Sequence, residues 1–396
     1  MRRSERPGLA ILVTVTTLGS MPVHLFLPAM PTTARDLAAS PGIIQLTITL
    51  YLLGLALGQP IYGPLSDRYG RRPVLMAGLA LLAASSAFAV FAGSATQLIV
   101  ARVFQALGAC AGLTLGRAMV RDGTTSEKAA GAMAILGMVL TIAPAIAPTI
   151  GGYASEWLGW RSVFVLLSLV SATTLAIVLL TLPETHLHRS RSFGFLSMLR
   201  NYRQLVRMPQ FIGYAVAGSV AASMYAYLTM LPFVLVDMLH RPVREVGPLY
   251  LLIVIGNAIG SYASNRLVKR MGSRRIAALG MKLQLASGAA LLLAHLTGQL
   301  SVITFIAPAT LLAIGIGLTN PNAIVNAVSA NPAAIGAASG LYGSMQMGFA
   351  AVSTLAVSAW HDGTVLPLAT VLIVAAVLGQ GAISHAERHR QRAPAA

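Results

Sequence analysis

"GPLSDRYGRRP", residues 63–73, puts Asp67, Arg68, Arg71 and Arg72 between two long apolar runs, in a chain that is only 10% charged. Soluble domains average about a quarter charged. This chain of 396 residues is 56% hydrophobic, with a mean hydropathy of +0.73. It lacks the polar surface that would keep a globule dissolved, so its solvent is lipid. The runs on either side, 43–64 and 73–93, each have about the 20 residues that carry a helix across a bilayer core. Their apolarity is continuous rather than alternating, which excludes the strands of a barrel.

Ten further runs of this kind lie outward from the pair: 8–30, 97–118, 129–152, 161–183, 209–235, 247–266, 275–296, 299–320, 336–359 and 365–384. The first continues past Pro22 and His24 without a small-residue cleavage site, and reads as a retained helix rather than a cleaved signal. The expected fold is an all-α integral membrane protein, with twelve transmembrane helices in two pseudo-symmetric six-helix bundles. Residues 1–184 form the first bundle, 185–208 a cytoplasmic central loop and 209–396 the second bundle. The central loop reads either as a plain linker or as carrying an amphipathic surface helix from Phe193 to Leu205.

Charge orients these spans. With the N-terminus inside, only Arg35, Arg161, Arg241 and Arg244 fall outside, and Arg102 and Lys282 fall within spans. The other 22 of the 28 Lys and Arg residues are cytoplasmic. Basic residues concentrate on the cytoplasmic side of membrane helices, so both termini are expected there. The formal charge of +17 is thereby explained without nucleic acid, which would need a basic patch on a polar domain. "KRMGSRR" (269–275) after the eighth span echoes "DRYGRR" after the second. Duplicated six-helix halves with a site between them mark secondary transporters.

Several other classes are excluded. One cysteine, Cys110, allows no intrachain disulfide. There is no metal-ligand spacing, no catalytic constellation and no phosphate loop. "GLYGSMQMG" (340–348) follows no strand, and its glycines suit helix packing. No enzyme activity, metal or cofactor is expected, and the energy source would be an ion gradient.

The opening stretch resembles the loop between helices 2 and 3 of the major facilitator superfamily, through Gly63, Leu65, Asp67, Arg68, Gly70, Arg71 and Arg72. The resemblance covers essentially the whole chain. "RVFQALGA" (102–109) is similar to the family's fourth-helix motif and "APAIAPTIGG" (143–152) to the fifth-helix motif of its exporters. "RAMVRD" (117–122), "GWRSVF" (159–164), "LPET" (182–185) and "AASGLYGSMQM" (337–347) resemble the bicyclomycin and chloramphenicol resistance type of drug/proton antiporter. The resemblance implies a multidrug exporter that works as a monomer on a small-molecule substrate and protons. It implies a gating role for Asp67, Arg68 and Arg71, with Gly63 and Gly70 shaping the loop; the plainer reading makes these charges topology determinants only. Pro144, Pro148, Gly151 and Gly152 would let the fifth helix bend and pack.

The chain departs from that branch in "HLFLPAMP" (24–31). His24 stands where an acid is expected and Phe26 where a Tyr is. None of the eleven acids lies deep in a span, although Asp36 and Asp237 reach the outer ends. Proton coupling would then fall to His24, the side chain that changes charge near neutral pH, with Arg102 at similar depth on helix 4. Arg102 reads either as a bridge between helices or as a snorkelling interfacial residue. Without a deep carboxylate, neutral or anionic substrates are expected over cations. Loss of the helix 1 acid also leaves open a proton-coupled or facilitated uptake carrier. Position and depth suggest Phe26, Tyr51, Gln59, Gln105, Tyr225, Tyr227, Asn257, Asn322 and Gln346 as substrate contacts; for the tyrosines, interhelix packing is the plainer role.

Overall fold

A backbone in lipid finds no water to bond, so its N–H and C=O groups must pair within their own segment. The computed structural model describes residues 8–122, 126–185, 195–331, 335–360 and 362–392, and these are helical with no strand among them. Close contacts divide the chain into two units. Unit 1 runs to Phe195 and takes in Val243–Gly247; unit 2 comprises Leu196–Pro242 and the chain from Pro248 onward.

Unit 1 contains α1 (Leu9–Phe26), α2 (Met30–Asp36), α3 (Pro41–Tyr69), α4 (Arg71–Val90), α5 (Ala95–Asp122), α6 (Ser126–Leu158) and α7 (Arg161–Thr181). A 3-10 turn at Leu27–Ala29 joins α1 to α2. Its cause is Pro28, which has no N–H for the carbonyl four residues back. Helix α5 is the axis of the unit, with α1, α3 and α4 packed on it. Lipid supplies no hydrophobic drive between helices, so close backbone approach must do the work. At Gly108 on α5 a side-chain carbon would lie 2.6 Å from the backbone nitrogen of Leu82 on α4.

Unit 2 contains α9 (Pro209–Val220), α10 (Met224–Phe233), α12 (Val302–Val328), α13 (Ile335–Ala359) and α14 (Leu366–Arg392), with all but the first residue of α8 (Phe195–Val206) and all but the first two of α11 (Val246–Leu296). A 3-10 turn at Ala221–Ser223 separates α9 from α10, and a π segment at Val234–Met238 follows. The first membrane rod of each unit is thus an interrupted helix. Helix α8 falls close to the surface helix expected in the central loop, although residues 186–194 lie outside the described ones. Leu205 anchors it in a buried cluster with Phe211, Tyr214, Ala338 and Tyr342, while Arg200, Arg203 and Arg207 stay exposed.

Ten helical stretches among the described residues are long and apolar enough to cross a membrane. One of them, Val243–Leu296, is two rods that meet at Gly272, whose φ of 77° and ψ of 153° break the helix. Helix α13 is not among the ten, because Gly, Ser and Gln dilute its apolarity, yet it occupies the place of the eleventh expected span. Counted this way, the described residues hold twelve rods.

Candidate functional site

Two clusters in unit 1 gather about half of the residues singled out in its sequence. The first surrounds the loop between α3 and α4. Gly70 closes α3 by donating its N–H to the Ser66 carbonyl at 2.9 Å, and turns the chain with φ 100° and ψ 151°. That conformation is essentially reserved for glycine. Arg71 then points back into the bundle, its side chain only 11% exposed. Its guanidinium meets Asp67 at 2.8 Å and Asp122 at 3.0 Å, and donates to the Ser66 hydroxyl.

A third carboxylate completes this loop from 113 residues away. Glu184 accepts the backbone N–H of Arg71 at 3.0 Å and that of Arg72 at 3.3 Å. The first N–H groups of a helix have no partner inside it and carry the positive end of its dipole. Gly70 has no side chain to cap α4, so Glu184 does so instead. The Glu184 carboxylate sits where a Gly70 side chain would begin. Arg72 reaches the other way, to the Leu179 carbonyl at 2.7 Å. Arg68 takes no part in the cluster: it is exposed, with its guanidinium 5.2 Å from the Tyr69 ring centroid. Gly63 is plain helix, and a side-chain carbon there would meet nothing within 4 Å.

Glu184→Gln keeps the shape of this cap and removes its charge. Hydrogen bonds to charged groups contribute about 1.5–3 kcal/mol. A loss of that order should appear as a lower thermal midpoint of the purified chain in detergent. An unchanged midpoint would mean that α4 does not depend on the carboxylate.

The second cluster lies around Arg102 on α5. The side chain is fully buried. Its Nη1 donates to the Pro22 carbonyl at 3.0 Å and to Gln105 Oε1 at 2.6 Å, and Gln105 in turn donates to Ser86 at 2.7 Å. The guanidinium carbon lies 4.4 Å from the centroid of Tyr51 and 5.2 Å from that of Phe26. Aromatic faces attract a cation at such distances, more strongly when water is absent. Nε and Nη2 have no hydrogen-bond partner, and among the described residues no carboxylate pairs with Arg102. His24, two residues beyond Pro22, is buried at 6% exposure. Four of the expected site residues – Phe26, Tyr51, Arg102 and Gln105 – therefore form one contiguous group.

The remaining residues are dispersed. Gln59 is half-buried on α3. Pro144 and Pro148 lie inside an unbroken α6, and Gly151 lets that helix meet the Leu25 carbonyl of α1, leaving no room for a side chain. At Gly152 a side-chain carbon would clear the Val243 carbonyl at 3.4 Å. In unit 2, Tyr225 and Asn257 are half-buried. Tyr227 is fully buried, donates to the Phe305 carbonyl and packs against the Phe305 ring at a tilt of 46°, the centroids 4.8 Å apart. Asn322, expected just past helix 10, lies within α12 and donates to Ser264 at 2.7 Å. Gln346 joins a polar group that the sequence did not reveal: Asn320 Oδ1 accepts from Tyr342 at 2.5 Å and from Gln346 at 3.3 Å.

The Major Facilitator Superfamily family model matches residues 11–354. The chain belongs to this family. Its members are transporters rather than enzymes. The chain is 26% identical to a bicyclomycin resistance protein homolog of Haemophilus influenzae, with 92% of each chain covered. It is 29% identical to a chloramphenicol resistance protein of Pseudomonas aeruginosa, covering 98% of this chain and 93% of that one. The crystal structure of a D-xylose–proton symporter shares the fold with a TM-score of 0.74 at 13% identity, over 94% of this chain and 96% of that one.

Proposed function

We propose that this protein exports drugs or small toxic metabolites in exchange for protons, by alternating access to a central cavity. It would do so as a monomer in the bacterial inner membrane, with both termini in the cytoplasm and without a cofactor. The relatives named for bicyclomycin and chloramphenicol resistance support export. Interrupted helices at corresponding places in two transporter halves point to a binding site, and here the first rod of each unit is interrupted. Asp67 and Arg71, with the turn at Gly70, would serve the gate; His24 and Arg102 would serve coupling.

The observation that carries the substrate class is the distribution of charge. Asp36 is held by Trp160 and Arg161, Asp67 and Asp122 by Arg71, Glu156 by Arg244, and Glu387 by Tyr214 and Arg274. All sit near helix ends. Among the described residues, the charged side chain buried most completely inside a rod is Arg102, at 0% exposure. A site of this kind favours neutral or anionic substrates over cations.

A growth-inhibition panel in an exporter-deficient host tests this reading. Expression should raise tolerance to neutral chloramphenicol and leave sensitivity to cationic ethidium unchanged. His24→Ala should remove the dependence of export on the pH gradient. Strong ethidium resistance from the wild type would overturn the substrate class, and counterflow unaffected by the gradient would indicate a uniporter.

A further inference from the structure

Helices α3 and α4 both pack on α5 but touch each other little along their length, although Gly70 joins them at the Arg71 end. Between them lies a cleft of about 350 Å³, lined by Tyr62, Leu65, Tyr69, Pro73, Ala77 and Leu81 among others. Its walls are apolar. The Tyr62 hydroxyl is turned inward and spent on the Leu107 carbonyl of α5 at 2.7 Å, which leaves the ring to the cleft. Gly78, also on the α4 wall, lets α4 lie against Gly108 and Ala111 of α5. The cleft opens sideways: Tyr69, Pro73 and Ala77 are exposed. Tyr69, which lines the cleft, carries the exposed Arg68 over its ring, the guanidinium carbon 5.2 Å from the centroid.

The geometry points to a binding site for one anionic phospholipid, with an acyl chain lying in the cleft and the phosphate on Arg68. The charge decides the occupant. A cation placed at the end of an apolar slot on a membrane helix matches a molecule with a long apolar body and an anionic head. Basic side chains at an anionic bilayer surface attract such lipids. A neutral drug-sized molecule would leave Arg68 unused. A second copy of this chain would bring a further net charge of +17. The site is separate from the Arg102 cluster, and it rests only on the chain's spanning a membrane.

The full-length chain, purified in detergent, is offered an equimolar mixture of dioleoyl phosphatidylglycerol and dioleoyl phosphatidylethanolamine and read by native mass spectrometry. One phosphatidylglycerol should be retained over phosphatidylethanolamine by about fivefold, the factor that one basic side chain adds at an anionic surface. Arg68→Gln should erase that preference and Arg68→Lys should keep it. Ala77→Trp, which fills the exposed side of the cleft, should lose the retained lipid; Leu81→Trp serves if that variant does not fold. Equal retention of the two lipids by the wild type overturns the site. So does retention unchanged by the Trp variant, or a dimer of the chain that dissolves on Ala77→Trp. No substrate or gradient enters this measurement, so its failure is distinct from failure of the resistance panel.

Discussion

Gly70→Ala is expected to abolish drug resistance and to leave little folded transporter in the membrane, whereas Gly63→Ala is expected to be harmless. Both glycines flank the same charged loop, and the contrast is local. At Gly70 the backbone adopts φ 100° and ψ 151°, a conformation that costs about 1–3 kcal/mol for other residues. The new methyl would also displace the Glu184 carboxylate from the start of α4. Two N–H groups would lose their acceptor, and Arg71 would be pulled from Asp67 and Asp122. At Gly63 the backbone is helical and the space beyond it is open. Alanine in a helix interior is favoured over glycine by roughly 0.5–1 kcal/mol. Membrane yield and chloramphenicol tolerance of the two variants, measured side by side, check this. Wild-type tolerance in Gly70→Ala would remove the loop from the mechanism. Adding Glu184→Ala to Gly70→Ala should do less damage than the two effects summed, because neighbours in one network are not additive.

The same loop shows what a sequence can reveal here and what it cannot. The helices were legible because a membrane span leaves a one-dimensional trace: some 20 apolar residues with cations at one end. Gly70 was picked out only through the resemblance and together with Gly63, so the sequence did not separate the glycine that turns the chain from the one that lies in plain helix. Glu184 was visible only as part of "LPET", with no role attached. Its partner lies 113 residues away, and no periodicity connects the two. Asp122 was hidden in the same way inside "RAMVRD". Around Arg102 the difficulty is the facing of side chains. Phe26, Tyr51 and Gln105 were chosen by depth, and they meet Arg102 because α1, α3 and α5 present those faces to one another. Tyr227 was chosen by the same rule and instead packs on Phe305. In a helix apolar on all sides, depth is readable and direction is not.

Arg102→Met is expected to cut export by on the order of tenfold or more while leaving the thermal midpoint unchanged or raised, and the two halves of that result must appear together. A residue that only holds helices together loses stability when removed. Arg102 does bridge α5 to the Pro22 carbonyl of α1 and to Gln105, so a structural role predicts a lower midpoint. Its charge argues the opposite. Taking a guanidinium out of water costs several kcal/mol, and attraction repays this only when partners satisfy the group. Here two nitrogens have no partner and the neighbours are two aromatic rings, a carbonyl and an amide. Replacing such a group with an apolar residue of similar volume is often neutral or stabilising. A protein that keeps the costly residue does so for something other than its fold. Without the guanidinium, a substrate or the group that carries the coupling proton forfeits a charged hydrogen bond. Such a bond is worth about 1.5–3 kcal/mol, and each 1.4 kcal/mol is a factor of about ten. Arg102→Lys should fail as well, because an ammonium cannot reach Pro22 and Gln105 in the planar arrangement of the guanidinium. Export and melting measured on one preparation of each variant decide the matter: a midpoint that falls in step with export makes Arg102 a strut, and export that survives in Arg102→Met removes the buried cation from transport.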